Sequence, residues 1–174
     1  MKEEAEQIVN RVANSPLVTF DLEEFYPNGE RVAFDLHPQL YQGLILKEKE
    51  FREFVRTHDW SGYQGKFVAI TCSADAIIPT WAYMLVGLAL EPYARYVTYG
   101  SLEDLESYLF NAALDKVNWN DFEGKKIVIK GCSRVDVPLN AYVQTANRLR
   151  KVASSVMFGE ACSTVPLYKK RLEK

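Results

Sequence analysis

The sequence predicts an α/β fold: a Rossmann-like, three-layer α/β/α arrangement on a mostly parallel sheet, with N-terminal antiparallel strands beside it. Three observations predict it. Apolar runs of strand length alternate with segments of helical period along the 174 residues, the pattern of a parallel sheet covered on both faces. One strand–loop–helix–strand unit occurs twice, at 59–100 and 118–159. Nearly half of the residues, 48%, are apolar, enough for one domain to bury a core. The chain therefore reads as a single domain, 1–174, in which a helix, hairpin and helix (1–58) precede a duplicated core (59–174).

The elements follow in order. Between Glu3 and Ala13, Ala5, Ile8, Val9 and Val12 share one helical face, and Asn14-Ser15-Pro16 stops the helix. Leu17 to Leu22 and Arg31 to Leu36 alternate as strands do, and Tyr26-Pro27-Asn28-Gly29 between them has turn chemistry, which predicts a hairpin. Gly43 to Leu46 is a third short apolar stretch. Glu48 to His58 is amphipathic, with Phe51, Phe54 and Val55 inward. Ser101 with Asp104 three residues on is a capping signal for a helix running to about Lys116.

Set against each other at a constant offset, 59–100 and 118–159 align without a gap. Trp60 matches Trp119, Gly65-Lys66 matches Gly124-Lys125, Pro79 matches Pro138, Ala82-Tyr83 matches Ala141-Tyr142, and Gly100 matches Gly159. About a quarter of the positions are identical, and many are Trp, Gly, Pro and Tyr, so duplication is the better reading. In each copy an aromatic turn ends in Gly-Lys and a buried strand follows (Phe67 to Thr71; Lys126 to Lys130). After a polar loop, a proline opens the helix and a second strand closes the unit (Arg95 to Tyr99; Ser154 to Phe158). Right-handed crossovers then restrict the topology to a Rossmann-like one.

Composition excludes several functions. Net charge is −2 with acids and bases interleaved, without the basic stripe of a nucleic-acid binder. The longest apolar run, Ala76 to Leu90, is broken by Pro79 and Gly87 and is too short to span a membrane. The acidic start, Met-Lys-Glu-Glu-Ala-Glu-Gln, lacks a secretory h-region, which predicts a cytoplasmic protein. Its three cysteines then read as free thiols or metal ligands and not as a disulfide framework. Phosphate-loop, dinucleotide, zinc-protease and nucleophile-elbow motifs do not occur.

Chemistry is expected at three Cys-Ser dipeptides, each just after a predicted strand: Cys72-Ser73, Cys132-Ser133 and Cys162-Ser163. Open parallel sheets bind ligands beyond the carboxyl ends of their strands. The candidate ligand-binding set is therefore Cys72, Ser73, Asp75, Cys132, Ser133, Asp136, Glu160, Ser163 and Thr164, for a small molecule or an anion. Ser163-Thr164-Val165-Pro166 offers backbone N–H groups to an anion, or is simply a turn. Cys72, Cys132 and Cys162 could together hold zinc or iron, although none stands in a Cys-x-x-Cys pair and the cysteines of the two copies are offset by one position. Alternatively a single thiol is reactive, Cys162 being favoured because Glu160 is close, or all three are small apolar filler. Phosphatase chemistry is disfavoured, because Ile78 and Pro138 occupy the positions of its arginine. His37, ahead of Pro38, is a candidate base or a surface histidine. The helix from Thr80 to Leu90 is apolar nearly all round; it is a core helix or the face of a homodimer.

Three segments carry a family resemblance: Ile70-Thr71-Cys72-Ser73-Ala74-Asp75-Ala76-Ile77-Ile78-Pro79-Thr80-Trp81-Ala82-Tyr83, Phe158-Gly159-Glu160-Ala161-Cys162-Ser163-Thr164-Val165-Pro166, and Gly43 to Val55. They resemble domain of unknown function 2480, a family found mainly in Bacteroidetes. The resemblance spans nearly the whole chain, implies a bacterial cytoplasmic origin, and brings no catalytic residue with it.

Overall fold

The computed structural model describes residues 17–131, 134–160 and 162–171; the helix expected at Glu3 to Ala13 lies outside them. In chain order the elements are β1 (Leu17–Asp21), β2 (Arg31–Asp35), α1 (Glu48–Thr57), β3 (Phe67–Thr71), α2 (Thr80–Leu90), β4 (Tyr96–Tyr99), α3 (Leu102–Leu114), β5 (Lys126–Lys130), α4 (Leu139–Val152), β6 (Ser155–Glu160) and β7 (Ser163–Lys169). They form two compact units. A central unit comprises Pro27–Phe110, and a split unit takes the chain up to Tyr26 and again from Asn111.

The central unit is built on the parallel sheet β2-β3-β4. Its middle strand, Phe67-Val68-Ala69-Ile70, is buried at all four positions, as a strand covered on both faces must be. Alternate side chains go to different clusters. Val68 and Ile70 join Phe34, Phe51, Val55, Trp60 and the inner face of α2 (Ala82, Val86, Leu90). Phe67 and Ala69 pack with Leu105 and Leu109 of α3. The first turn of α3 is fixed by the expected capping box: the Asp104 N–H donates to the Ser101 hydroxyl at 3.1 Å, and the Ser101 N–H donates to the Asp104 carboxylate at 2.8 Å.

The split unit has the order β1-β5-β6-β7, parallel except for β7, which returns antiparallel on β6. Ile127, Val128 and Ile129 are buried in β5, and so are Ala141, Thr145 and Leu149 of α4, which contacts that strand.

Two expectations are corrected. Leu17–Asp21 and Arg31–Asp35 are strands, but they are not an antiparallel hairpin. Each lies parallel to the first strand of one repeat, β1 on β5 and β2 on β3, in different sheets. The reason is aromatic packing. Phe20 stacks on Trp119 with centroids 5.4 Å apart, and Phe34 meets Trp60 at 5.3 Å, so each strand carries one ring into the aromatic turn of its own repeat. The second correction is Ser163 to Pro166, which is not a turn but the start of β7.

The duplication extends to hydrogen bonds. Gly65 N–H donates to Tyr93 and Gly124 N–H to Val152, each at 2.9 Å, and the glycines share left-handed backbone angles, φ 71° and 68°. Edge-to-face ring pairs also correspond: Tyr83 with Tyr99 at 5.0 Å, and Tyr142 with Phe158 at 5.8 Å.

Candidate functional site

Asp35 ends β2 and Thr71 ends β3, and the two are register partners. Parallel pairing thus sets the residues that follow them side by side at the carboxyl edge of the sheet. Asp35 Oδ1 accepts the backbone N–H of His37 at 2.9 Å and of Ser73 at 2.9 Å. Oδ2 accepts the Ser73 hydroxyl at 2.6 Å, and His37 Nδ1 lies 3.3 Å from that same hydroxyl.

This is not a nucleophile relay. In such a relay the imidazole takes the serine proton and the acid holds the far side of the ring. Here the serine proton points at the carboxylate, and the histidine meets the serine oxygen from outside. The cluster is instead a fixed carboxylate rimmed by a hydroxyl and an imidazole. Burial pushes the Asp35 carboxyl upward, but the Ser73 hydroxyl, the His37 and Ser73 N–H groups and the His37 charge outweigh it. The carboxyl is left below its ordinary value, and it is ionised at neutral pH.

A cavity of about 550 Å³ opens between α2 and β3–β4, with Ile70, Thr80, Tyr83, Met84, Val97 and Tyr99 among its walls. The Tyr83 phenol is held above its usual range, first by burial and then by Cys72, Tyr99 and Asp35 close by. A second groove of about 500 Å³ includes Asp75 from the Ser73 loop, Pro79 at the start of α2, and Leu44, Ile45 and Ile77. Ile77 is 95% exposed.

The split unit has a differently furnished edge. Asp21 Oδ1 accepts the Glu23 N–H at 3.1 Å, and its Oδ2 is 3.2 Å from Lys130 Nζ. Buried Glu23 accepts both the backbone N–H and the guanidinium of Arg134, each at 2.8 Å. This edge neutralises its acids with its own cations.

The model of a family described as a protein of unknown function, DUF2480, matches residues 6–170. The chain belongs to the DUF2480 family. No curated protein and no solved structure matches it.

Of the residues singled out from this DUF2480 sequence, Ser73 stands at the centre of the cluster. Cys72 is half-buried, and its thiol donates to the Ala74 carbonyl at 3.7 Å. Asp75, Asp136, Glu160 and Ser163 are exposed, and the Thr164 hydroxyl donates to Met157 Sδ at 3.7 Å. Cys162 is exposed in the turn between Glu160 and Ser163, which face each other in the β6–β7 ladder. Cys132 and Ser133 lie outside the described residues. Among the described residues no three His, Cys, Asp or Glu are grouped to hold a metal ion, and none of their helices is long and apolar enough to cross a membrane. The α2 helix buries Ala82, Val86 and Leu90 while Met84 and Leu88 are exposed.

Asp35 was missed from sequence, together with Tyr83 and Tyr99. A signal existed: Val18-Thr19-Phe20-Asp21-Leu22 and Val32-Ala33-Phe34-Asp35-Leu36 are near copies, and reading them as repeats would have placed both aspartates at strand ends.

Proposed function

We propose that this DUF2480 protein binds a small molecule at the carboxyl edge of β2-β3-β4. The apolar body of the ligand lodges beside Tyr83, Met84 and Tyr99, and its polar end points toward Asp35 and Ser73. One observation carries the reading: the cavity lining includes Ile70, the neighbour in β3 of Thr71, whose register partner is Asp35. A mostly apolar recess of this size with few polar groups is the ordinary make-up of a ligand site. A Rossmann-like, three-layer arrangement belongs to the same proposal, supported by β3 sending alternate side chains to the α1–α2 cluster and to α3.

Metal and thiol chemistry have less support. The Cys72 thiol is turned to a carbonyl of its own loop, and Cys162 lies in an exposed hairpin turn.

The test is a fragment screen on the full chain, read by amide and aromatic NMR shifts, repeated on Gly87→Leu. A Cβ at Gly87 meets only Ile70 Cδ1, at 3.8 Å, so the added side chain fills the cavity while the helix remains. Fragments that shift Tyr83 and Tyr99 in the wild type should lose binding in the variant. If no fragment moves these tyrosines, or if Gly87→Leu binds as well as the wild type, the reading is wrong.

A further inference from the structure

The strands paired with the two repeats, β1 and β2, end on equivalent carboxylates and differ in what neutralises them. Asp21 faces Lys130 in the β1–β5 register, and Asp35 faces Thr71 in the β2–β3 register. Lys130 Nζ reaches Asp21 Oδ2 at 3.2 Å, whereas Thr71 carries no charge. The difference continues along the edge. Where the split unit pairs Glu23 with Arg134, the central unit has His37 and Asp75 at the equivalent positions. Asp35 Oδ2 accepts one hydrogen bond, from Ser73, and a carboxylate oxygen has capacity for two.

We infer that the ligand of the central unit is an organic amine, whose ammonium takes on Asp35 the place that Lys130 takes on Asp21 while its apolar or aromatic body fills the Tyr83–Met84–Tyr99 cavity. The inference rests on the binding reading above and adds the charge of the ligand. Two independent observations support it: the aromatic-walled cavity, and the ammonium that the other repeat already carries at the same register position. Tyrosine faces favour a neighbouring cation as well. An anionic ligand would meet the carboxylates of Asp35 and Asp75, the first of them with His37 beside it.

Three probes of one shape and different charge decide it: 2-phenylethylamine, 2-phenylethanol and 3-phenylpropionate, titrated into the full chain and followed at Tyr83 and Tyr99 by NMR. The amine should bind at least about tenfold more tightly than the alcohol, and the carboxylate most weakly. Asp35→Asn should bring the amine to the level of the alcohol. Thr71→Lys, which supplies the cation from within as Lys130 does, should do the same and leave alcohol binding unchanged; thermal unfolding of both variants verifies that they fold. If the alcohol or the carboxylate binds as tightly as the amine, or if amine binding survives both substitutions, the charge assignment is overturned while the cavity stands as a binding site. If neither these probes nor the fragment screen moves the two tyrosines, the binding reading falls and the inference with it.

Discussion

The indole N–H of Trp60 donates to the backbone carbonyl of Val55 at 2.9 Å, and the ring is 7% exposed. Val55 lies in the last turn of α1, where carbonyls lack partners within the helix. The bond therefore caps the helix and locks the aromatic turn against it in one step. Trp119 repeats the bond to Leu114 at 3.2 Å, in the last turn of α3, so the duplicated unit includes the helix ahead of each tryptophan.

Trp60→Phe keeps most of the ring but leaves a buried carbonyl without its donor. It should cost about 1–3 kcal/mol of stability, read by urea unfolding with hydrogen exchange to assign the loss to α1. Trp119→Phe should cost less, because Trp119 is half-exposed and water can take over its bond. Equal costs would show that the indole bond is not what matters.

The strands β3 and β5 were legible to the residue, because an unbroken apolar run after Gly-Lys, four residues in β3 and three in β5, followed by a polar loop admits few other readings. The partners of β1 and β2 were not. Period-two alternation is the same in parallel and antiparallel strands, and the repeats are interleaved: β1 serves the second copy and β2 the first. A search at one constant offset cannot see that. The candidate site was half legible for the same reason. Ser73 came from its dipeptide after a strand, but Asp35 lies 38 residues upstream and reaches Ser73 only through the β2–β3 pairing.

Arg31 on edge strand β2 grips Glu106 of α3 with two bonds, Nε to Oε1 at 2.5 Å and Nη2 to Oε2 at 3.2 Å, the side chains being 11% and 22% exposed. Such bidentate pairs are stronger than exposed ones. Glu106→Gln should cost about 1.5–3 kcal/mol and loosen α3 from Phe67 and Ala69. Glu53→Gln removes the partner of Arg56 on the open face of α1 and should leave the unfolding midpoint where it is. If both variants unfold alike, the Arg31–Glu106 pair does not anchor α3.

Gly87 interrupts α2, whereas α4 has Ala146 at the equivalent position. The nearest atom to an added Cβ is Ile70 Cδ1 at 3.8 Å, an ordinary contact. Gly87→Ala should therefore stabilise the central unit by about 0.5–1 kcal/mol through helix propensity alone. Thermal unfolding checks the sign, and a lowered midpoint would mean that the cavity is smaller than described.

Gly159 has the opposite character. Its φ is +119°, and a Cβ would lie 2.6 Å from the Ser163 carbonyl oxygen. Gly159→Ala must break the β6–β7 hairpin or strain it, at a cost above about 1 kcal/mol. Amide exchange in β7 should accelerate, and exchange in β3 of the central unit should not change. Unchanged protection of Tyr168 and Lys170 would count against the hairpin geometry.

Acid should act on Asp35 in a defined direction. Its carboxyl is below its ordinary value in the folded chain, so the unfolded chain takes up the proton first. The stability that its hydrogen bonds contribute is complete above about pH 4, the unfolded carboxylate value. It disappears as pH falls through the lower folded value. Asp104, lowered by the Ser101 cap, and Asp59, lowered by Ser61, act in the same direction, so the total acid response is not specific. The difference between wild type and Asp35→Asn is specific. That difference in unfolding midpoint should shrink as pH falls below about 4, while carboxyl-carbon NMR places the Asp35 midpoint below the ordinary aspartate value of about 3.9. A midpoint at or above that value would mean that the hydrogen bonds from Ser73 and His37 do not favour the charged carboxylate, although it would still be ionised at neutral pH.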